Sequence, residues 1–147
     1  QWELLKKNYK AVLLGLLAGV LTSLCTVLVL SYIMKLSHED YVTLLPKSIT
    51  TAIGMGVSEE LGGYVTITVA VIVVTGVIGN MLGEVICKVF KIHEPISKGL
   101  ALGCSAHAIG TAKALEMGEI EGAMSGLAIA VSGILTVALA PVFANFL

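Results

Sequence analysis

Three long apolar runs alternate with two shorter stretches that are half polar and rich in glycine. Residues 11–32 carry no ionisable side chain apart from Cys25 and Tyr32, residues 65–83 carry none, and residues 122–147 carry none before the terminal carboxyl. Each run is near or above the roughly 20 residues that a helix needs to cross about 30 Å of hydrocarbon. The pattern predicts full transmembrane helices over 11–35, 64–90 and 122–147, a polar loop over 36–45 and a charged turn over 91–94. Between them lie 46–63 and 95–118, each opened by a proline (Pro46 and Pro95), which suits the first turn of a helix. Neither reads as a simple span. Gly54 and Gly56 weaken the middle of the first, and Gly62-Gly63 can end it. The second reads as two short helices, 96–103 and 106–117, before Gly118-Glu119-Ile120-Glu121 leads into the last span.

The two half-polar stretches resemble each other. An offset of 56 residues superposes Ala52-Ile53-Gly54 on Ala108-Ile109-Gly110, Glu60 on Glu116 and Gly62 on Gly118, five identities in eleven positions. Interrupted hydrophobic segments in corresponding places point to the binding site of transporters built from internal repeats. The expected fold is therefore an all-α polytopic membrane protein: three full transmembrane helices, two interrupted (broken or re-entrant) helices, and an internal repeat. Residues 1–147 form a single transmembrane domain, with repeat-like units around 46–90 and 95–147.

Composition agrees. Hydrophobic residues make up 56% of the chain and charged residues 13%, with mean hydropathy +0.96, whereas a soluble domain carries about 25% charge. The lipid bilayer is the expected solvent. Trp2 and Tyr9 suit the headgroup region, beside Lys6, Lys7 and Lys10. No cleavable signal peptide is apparent, and with no initiator Met the chain is expected to begin inside a longer protein. A net charge of −1 and the absence of a basic stripe point away from nucleic acid. All nine cations are lysine, so no bidentate arginine clamp is available. If both half-polar segments cross the membrane, Lys88, Lys91 and Lys98 lie opposite the N-terminal trio. If both are re-entrant, the two clusters share a side, in keeping with the positive-inside tendency.

Cys25, Cys87 and Cys104 read as small buried hydrophobes. Cys104-x-x-His107 is half a metal site without a second half, and zinc wants four ligands, so neither metal nor cofactor is expected. No Gly-x-Ser-x-Gly elbow, phosphate loop or His-Glu-x-x-His motif is present, and enzyme activity is not expected.

A helix broken inside the membrane exposes backbone donors at one half-helix end and acceptors at another. Around the first interruption stand Lys47, Ser48, Thr50 and Thr51; around the second stand Ser105, His107, Gly110 and Thr111. Hydroxyls, one imidazole and free N–H groups make a cradle for a carboxylate without arginine. Lys47 would attract the anion. His107, ionisable at membrane depth, would sense or carry a proton. Glu60 and Glu116, equivalent in the repeat, are further proton-coupling candidates beside a plainer role as caps. The competing readings are that Ser and Thr bond their own helix backbone, that Lys47 snorkels to the interface, and that Glu84 pairs with Lys88 four residues on.

At these residues the chain resembles the LrgB/CidB family. Leu45-Pro46-Lys47-Ser48-Ile49-Thr50-Thr51-Ala52-Ile53, followed by Ser58-Glu59-Glu60-Leu61-Gly62-Gly63, is similar to one family block. Lys98-Gly99-Leu100-Ala101-Leu102-Gly103, Ser105-Ala106-His107-Ala108-Ile109-Gly110-Thr111-Ala112 and Glu121-Gly122-Ala123 are similar to the other. Ala52 departs from the family's frequent proline, and Lys98 and Lys113 stand where arginine is commoner. The resemblance covers the chain and implies that about the first third of a typical member is missing. It implies an antiholin-like protein of the bacterial cytoplasmic membrane, acting on murein hydrolase activity and autolysis with a smaller holin-like partner of the LrgA/CidA type. It also implies movement of small carboxylates, pyruvate in bacteria and glycolate and glycerate in a plastid relative.

Two functions follow as expectations. The first is a carrier of small monocarboxylates with its site where the interrupted segments meet. The second is a regulatory subunit of a holin-like pore with no transport of its own. Glycine pairs at 15/19, 79/83, 99/103, 118/122 and 122/126 suit helix partners in the same chain or in a homo-oligomer. A passive pore ranks last, because no full span carries a continuous polar stripe.

Overall fold

A computed structural model of the chain describes residues 2–147, with Trp2 and Leu4 described by backbone alone. The described residues form six helices: α1 (Trp2–Met34), α2 (His38–Leu44), α3 (Thr51–Glu60), α4 (Val65–Val89), α5 (Pro95–Met117) and α6 (Glu119–Ala144). Three of them, over Leu5–Met34, Val65–Val89 and Glu119–Ala144, are long and apolar enough to cross a membrane. This is an all-helical, multi-pass membrane protein. Leu13, Leu14, Val74, Ile78, Met81 and Ile134 are each more than half exposed, as large apolar side chains are when lipid is the solvent. Tyr9 is half exposed near the start of α1, while the Trp2 side chain lies outside the described residues.

Glycines set how the helices meet. A Cβ on Gly79 would strike Ala106, and one on Gly83 would strike Leu102, so α4 and the first part of α5 run antiparallel in close contact. Across α5's other side, Gly99 meets the Glu121 carbonyl and Gly103 the Ser125 carbonyl and Ala128. Gly15 faces Leu100 and Gly19 faces Cys104, which sets α1 parallel to the same stretch. The N-termini of α1, α5 and α6 and the C-terminus of α4 therefore lie at one end of the molecule. At the other end, Val20, Leu24 and Val27 of α1 form an apolar cluster with Tyr41, Val42, Leu45, Ile49, Val57, Ala140 and Ala144.

α5 is helical except at His107, whose φ of 43° and ψ of −138° are far from helical values. Residues on its two sides lie against each other. A Cβ on Gly110 would sit 3.0 Å from the Leu102 carbonyl oxygen, although a straight helix holds residues eight apart at about 12 Å. After the turn, Asn80 Nδ2 donates to the Ile109 carbonyl at 2.8 Å and Lys113 reaches Glu84 at 3.5 Å. Residues 108–117 thus run back along α4 toward the end where α5 began.

Several local expectations need correction. The stretch 36–45 is not a loop. Ser37 caps α2 by accepting from Asp40 N at 3.1 Å, and Glu39 and Asp40 in its first turn suit a helix N-terminus. Tyr41, Val42 and Thr43 are buried. Pro46 stands in a turn over 45–50, and the helix after it begins at Thr51. α3 runs unbroken through Gly54 and Gly56. Gly54 serves a close approach instead, since a Cβ there would strike the Ile72 side chain of α4. α1 starts at Trp2 rather than at 11, and α6 at Glu119.

Candidate functional site

The turn 45–50 and the turn at His107 approach the same stretch of α4 from opposite ends. Gly54, just past the first turn, packs on the Ile72 side chain and the Pro46 carbonyl. At the second turn, the ring nitrogen Nε2 of His107 stands 2.9 Å from the Ile72 carbonyl oxygen, which fits an Nε2–H that donates to it. His107 is only 3% exposed. Its imidazole fits because Gly76 has no side chain: a Cβ there would lie 2.7 Å from Cε1. Thr111 donates to the His107 carbonyl at 2.9 Å and lies 2.7 Å from Ser125 Oγ, which ties the start of the second limb to α6. Ile72 and Gly76 are the eighth and twelfth of the 25 residues of α4, so both turns stand well inside the span.

Beside the turns a cavity of about 540 Å³ opens between α1 and the first part of α5. Its wall from α1 includes Gly15, Gly19, Thr22, Ser23 and Thr26; its wall from α5 includes Ser97, Ala101, Cys104 and Ser105; Lys47 and Ser48 close its deep end. Lys47 Nζ donates to Ser48 Oγ at 2.9 Å, and Ser48 Oγ lies 3.0 Å from Ser23 Oγ. Lys47 is the only Lys, Asp, Glu or His among the lining residues. One cation, backed by hydroxyls from three segments, suits a small anion with a single negative charge.

Of the residues singled out from the sequence, Lys47, Ser48 and Ser105 line this cavity together. Ser105 donates to its own helix at the Ala101 carbonyl, 2.7 Å away. His107 and Thr111 turn toward α4 and α6, and Gly110 packs against Ala106. Thr50 is the N-cap residue of α3 without a side-chain cap bond, and neither it nor Thr51 is among the cavity's lining residues. Glu60 is exposed at the end of α3. Glu116 pairs with Lys113 at 3.0 Å, in a second, charged cavity of about 400 Å³ with Glu84, Lys88, His93 and Lys98. Glu84 also binds Lys88 at 2.9 Å, the pair its spacing suggests. Thr22, Ser23 and Thr26 escape a reading by hydropathy, because α1 scores as a plain span. The signal is their spacing: Thr22 and Thr26 are four apart, on one face of the helix.

Residues 1–146 match the sequence profile of the LrgB-like family. The antiholin-like protein LrgB of Bacillus subtilis is 40% identical over 150 residues, and those of Bacillus cereus and Bacillus anthracis are 37% identical over 147 residues. Each alignment covers 100% of this chain and 64% of the relative, so the chain spans just under two thirds of the length of these curated relatives. No solved structure gives a significant match.

Proposed function

The chain belongs to the LrgB-like family, and from that premise we propose that it forms the substrate-binding part of a carrier for small monocarboxylates of the pyruvate and glycolate type. The observation that carries this reading is the meeting of Lys47 and Ser48 with Ser23 and Ser105 around one cavity well inside the span. A lysine at that depth is costly unless it serves an ion or finds partners. On this reading the carboxylate binds at Lys47 Nζ, and the hydroxyls of Thr22, Ser23, Thr26 and Ser48 take the remaining polar contacts.

Two re-entrant, interrupted segments, 38–60 and 95–117, enter from opposite ends, and each leads into a full span, α4 or α6. The 56-residue offset supports a repeat, because it superposes α3 on residues 107–116, the second limb of the other hairpin. The two units then have inverted topology, the arrangement that places substrate near the midplane in many carriers. Lys6, Lys7, Lys10, Lys88, Lys91, Lys98 and Lys113 lie toward one end, and Lys35 toward the other. By the positive-inside rule the lysine-rich end faces the cytoplasm of a bacterial inner membrane. A holin-like partner of the LrgA/CidA type and a homo-oligomer complete the proposal.

The relatives' antiholin-like names favour a second reading, regulation of a holin-like pore and of murein hydrolase export. Uptake of labelled pyruvate and glycolate into proteoliposomes separates the two, with and without the partner. Saturable uptake that is lost in Lys47→Met and weakened in Ser48→Ala supports the carrier. No uptake by folded protein under either condition leaves the regulator.

A further inference from the structure

The second cavity, of about 400 Å³, lies where the end of α4, the turn 90–94 and both limbs of α5 meet, and shares no lining residue with the Lys47 cavity. Its charged lining is Lys88, Lys98, Lys113, His93, Glu84 and Glu116. The carboxylates are already taken. Glu84 binds Lys88 at 2.9 Å and Lys113 at 3.5 Å, and Glu116 binds Lys113 at 3.0 Å. Lys98 and His93 form no ion pair among the described residues. Three lysines face two carboxylates, so the cavity carries an unmatched positive charge even with His93 neutral.

Half-buried Lys98 stands against the preference of its own helix. It is the fourth residue of α5, where the helix N-terminus already concentrates positive partial charge, and that turn holds no acidic residue. Glu94, the N-cap residue, makes no side-chain cap bond. An anion in the cavity answers both charges at once. The depth is that of lipid headgroups: α4, with 25 residues, is about 37 Å long against about 30 Å of hydrocarbon, so its last turns enter the polar layer. Glu84 and Lys88 lie in those turns. On the same face Val73, Val77 and Met81 precede them at intervals of three or four, and these are 43%, 43% and 69% exposed. An apolar track that ends in a positive cavity at headgroup depth suits an amphiphile better than a free ion.

We propose that this cavity binds the phosphate of an anionic membrane lipid, with Lys98 and His93 as its donors, Lys88 at its rim and an acyl chain along Val73, Val77 and Met81. Basic pockets between helices on the cytoplasmic side hold anionic headgroups in this way. The bound phosphate joins the turn 90–94 and the start of α5 to the end of α4, and so braces the hairpin that carries His107. The site does not rest on the carrier reading.

The full chain in mixed micelles is titrated with phosphatidylglycerol, with phosphatidylcholine or with water-soluble glycerol 1-phosphate, and bound lipid is counted by native mass spectrometry. Lysine acetylation, mapped residue by residue in the same samples, reports where the ligand sits. Phosphatidylglycerol is expected to bind more tightly than phosphatidylcholine. At ten times its Kd it is expected to slow acetylation of Lys98 about tenfold. Lys10, at the same end but outside the cavity, is expected to react as before. Lys98→Gln is expected to weaken binding about tenfold, the size of one hydrogen bond to a charged group, while Lys98→Arg retains it. Lys10→Gln removes the same charge and is expected to leave binding unchanged. Equal losses in Lys98→Gln and Lys10→Gln, or equal protection of both lysines, reduce the effect to general surface charge and overturn the proposal. Protection of Lys98 by glycerol 1-phosphate as strong as that by the lipid overturns the lipid assignment in favour of a soluble phosphate ester. Should Lys98→Gln fail to fold, acetylation of the unaltered chain decides alone.

Discussion

Gly76→Ala is the sharpest test of how the second turn is held. The added Cβ would lie 2.7 Å from His107 Cε1, 2.9 Å from Nε2 and 2.9 Å from Ile109 Cβ. None of these is the free end of a flexible chain. The imidazole is buried and anchored to the Ile72 carbonyl at 2.9 Å, and its backbone is fixed at a positive φ. Three effects compete. Replacing glycine in the helix favours the variant by about 1 kcal/mol. Overpacking opposes it by about 1–3 kcal/mol. Pushing the ring off the Ile72 carbonyl leaves a buried donor unpaired, for a further loss of about 1–3 kcal/mol. Taking the middle of each range, the variant loses about 3 kcal/mol.

The assay is reversible unfolding in mixed micelles, with Gly76→Ala, His107→Ala and the double variant run beside the parent. Without the ring, two of the three nearest contacts of the new methyl are gone and Ile109 Cβ remains, so the double variant is expected to recover at least about 1 kcal/mol relative to the sum of the singles, well beyond the ~0.5 kcal/mol scatter of independent sites. A Gly76→Ala protein as stable as the parent, or strict additivity with His107→Ala, would refute the claim that this glycine exists to seat the imidazole.

Other outcomes follow from the same geometry. His107→Gly is expected to be more stable than His107→Ala by about 1 kcal/mol in the same unfolding assay, because both lose the ring but only glycine adopts φ of 43° without strain. Tyr41→Phe removes the bond that its hydroxyl donates to the Phe143 carbonyl at 2.9 Å, and is expected to lose about 1 kcal/mol, against about 3–5 kcal/mol for Tyr41→Ala at this fully buried position. Lys47→Arg is expected to retain some saturable uptake where Lys47→Met retains none; equal activity of the two would remove the charge from the mechanism. With the lysine-rich end in the cytoplasm, the C-terminus lies on the other side, so alkaline phosphatase fused after Leu147 is expected to be active and green fluorescent protein dark. The opposite pattern would invert the orientation.

The spans were legible because lipid imposes its demand along the whole of a helix: residues 65–83 and 122–147 carry no ionisable side chain before the terminal carboxyl, and nothing else explains so long a run. α2 was not legible. His38, Glu39 and Asp40 advertise a loop, but they are merely the first turn of a helix whose Tyr41, Val42 and Thr43 are buried. The breaks were sought at glycines and found elsewhere. Gly54 instead lets α4 approach within the radius of a side chain, a tertiary demand that local propensity does not carry, whereas the packing pairs 79/83 and 99/103 were legible from their four-residue spacing. The second break falls on His107, where tertiary contacts hold a strained backbone. Among the candidate site residues, type and neighbourhood could be read but not direction. Ser105 and His107 are two apart, and the turn sends one into the cavity and the other into α4.

Both turns depend on one residue of α4, and this bears on how a carrier could work. The Ile72 side chain supports Gly54 at the root of the first hairpin, and the Ile72 carbonyl holds His107 at the apex of the second. Thr68, one turn earlier on α4, donates to the Thr43 carbonyl at 2.9 Å and lies 2.7 Å from Ser58 Oγ, so both limbs of the first hairpin are fastened to the same helix. On the carrier reading, alternating exposure of Lys47 requires the hairpin 38–60 to shift against α1 and the cluster around Tyr41 and Leu45. If it moves with α4, the hydroxyl bonds survive and His107 must follow or release. If it moves against α4, the contacts at Thr68 and at Gly54 break together. The first path spares the buried hydroxyl bonds, each worth about 1 kcal/mol, and it moves Lys47 relative to Ser23 on α1. Loss of the 3.0 Å contact between Ser23 and Ser48 is then the signature of the other state, and a disulfide between cysteines at these two positions should arrest transport in its oxidised form alone. Undiminished exchange across that crosslink would leave the first hairpin static and move the gate elsewhere.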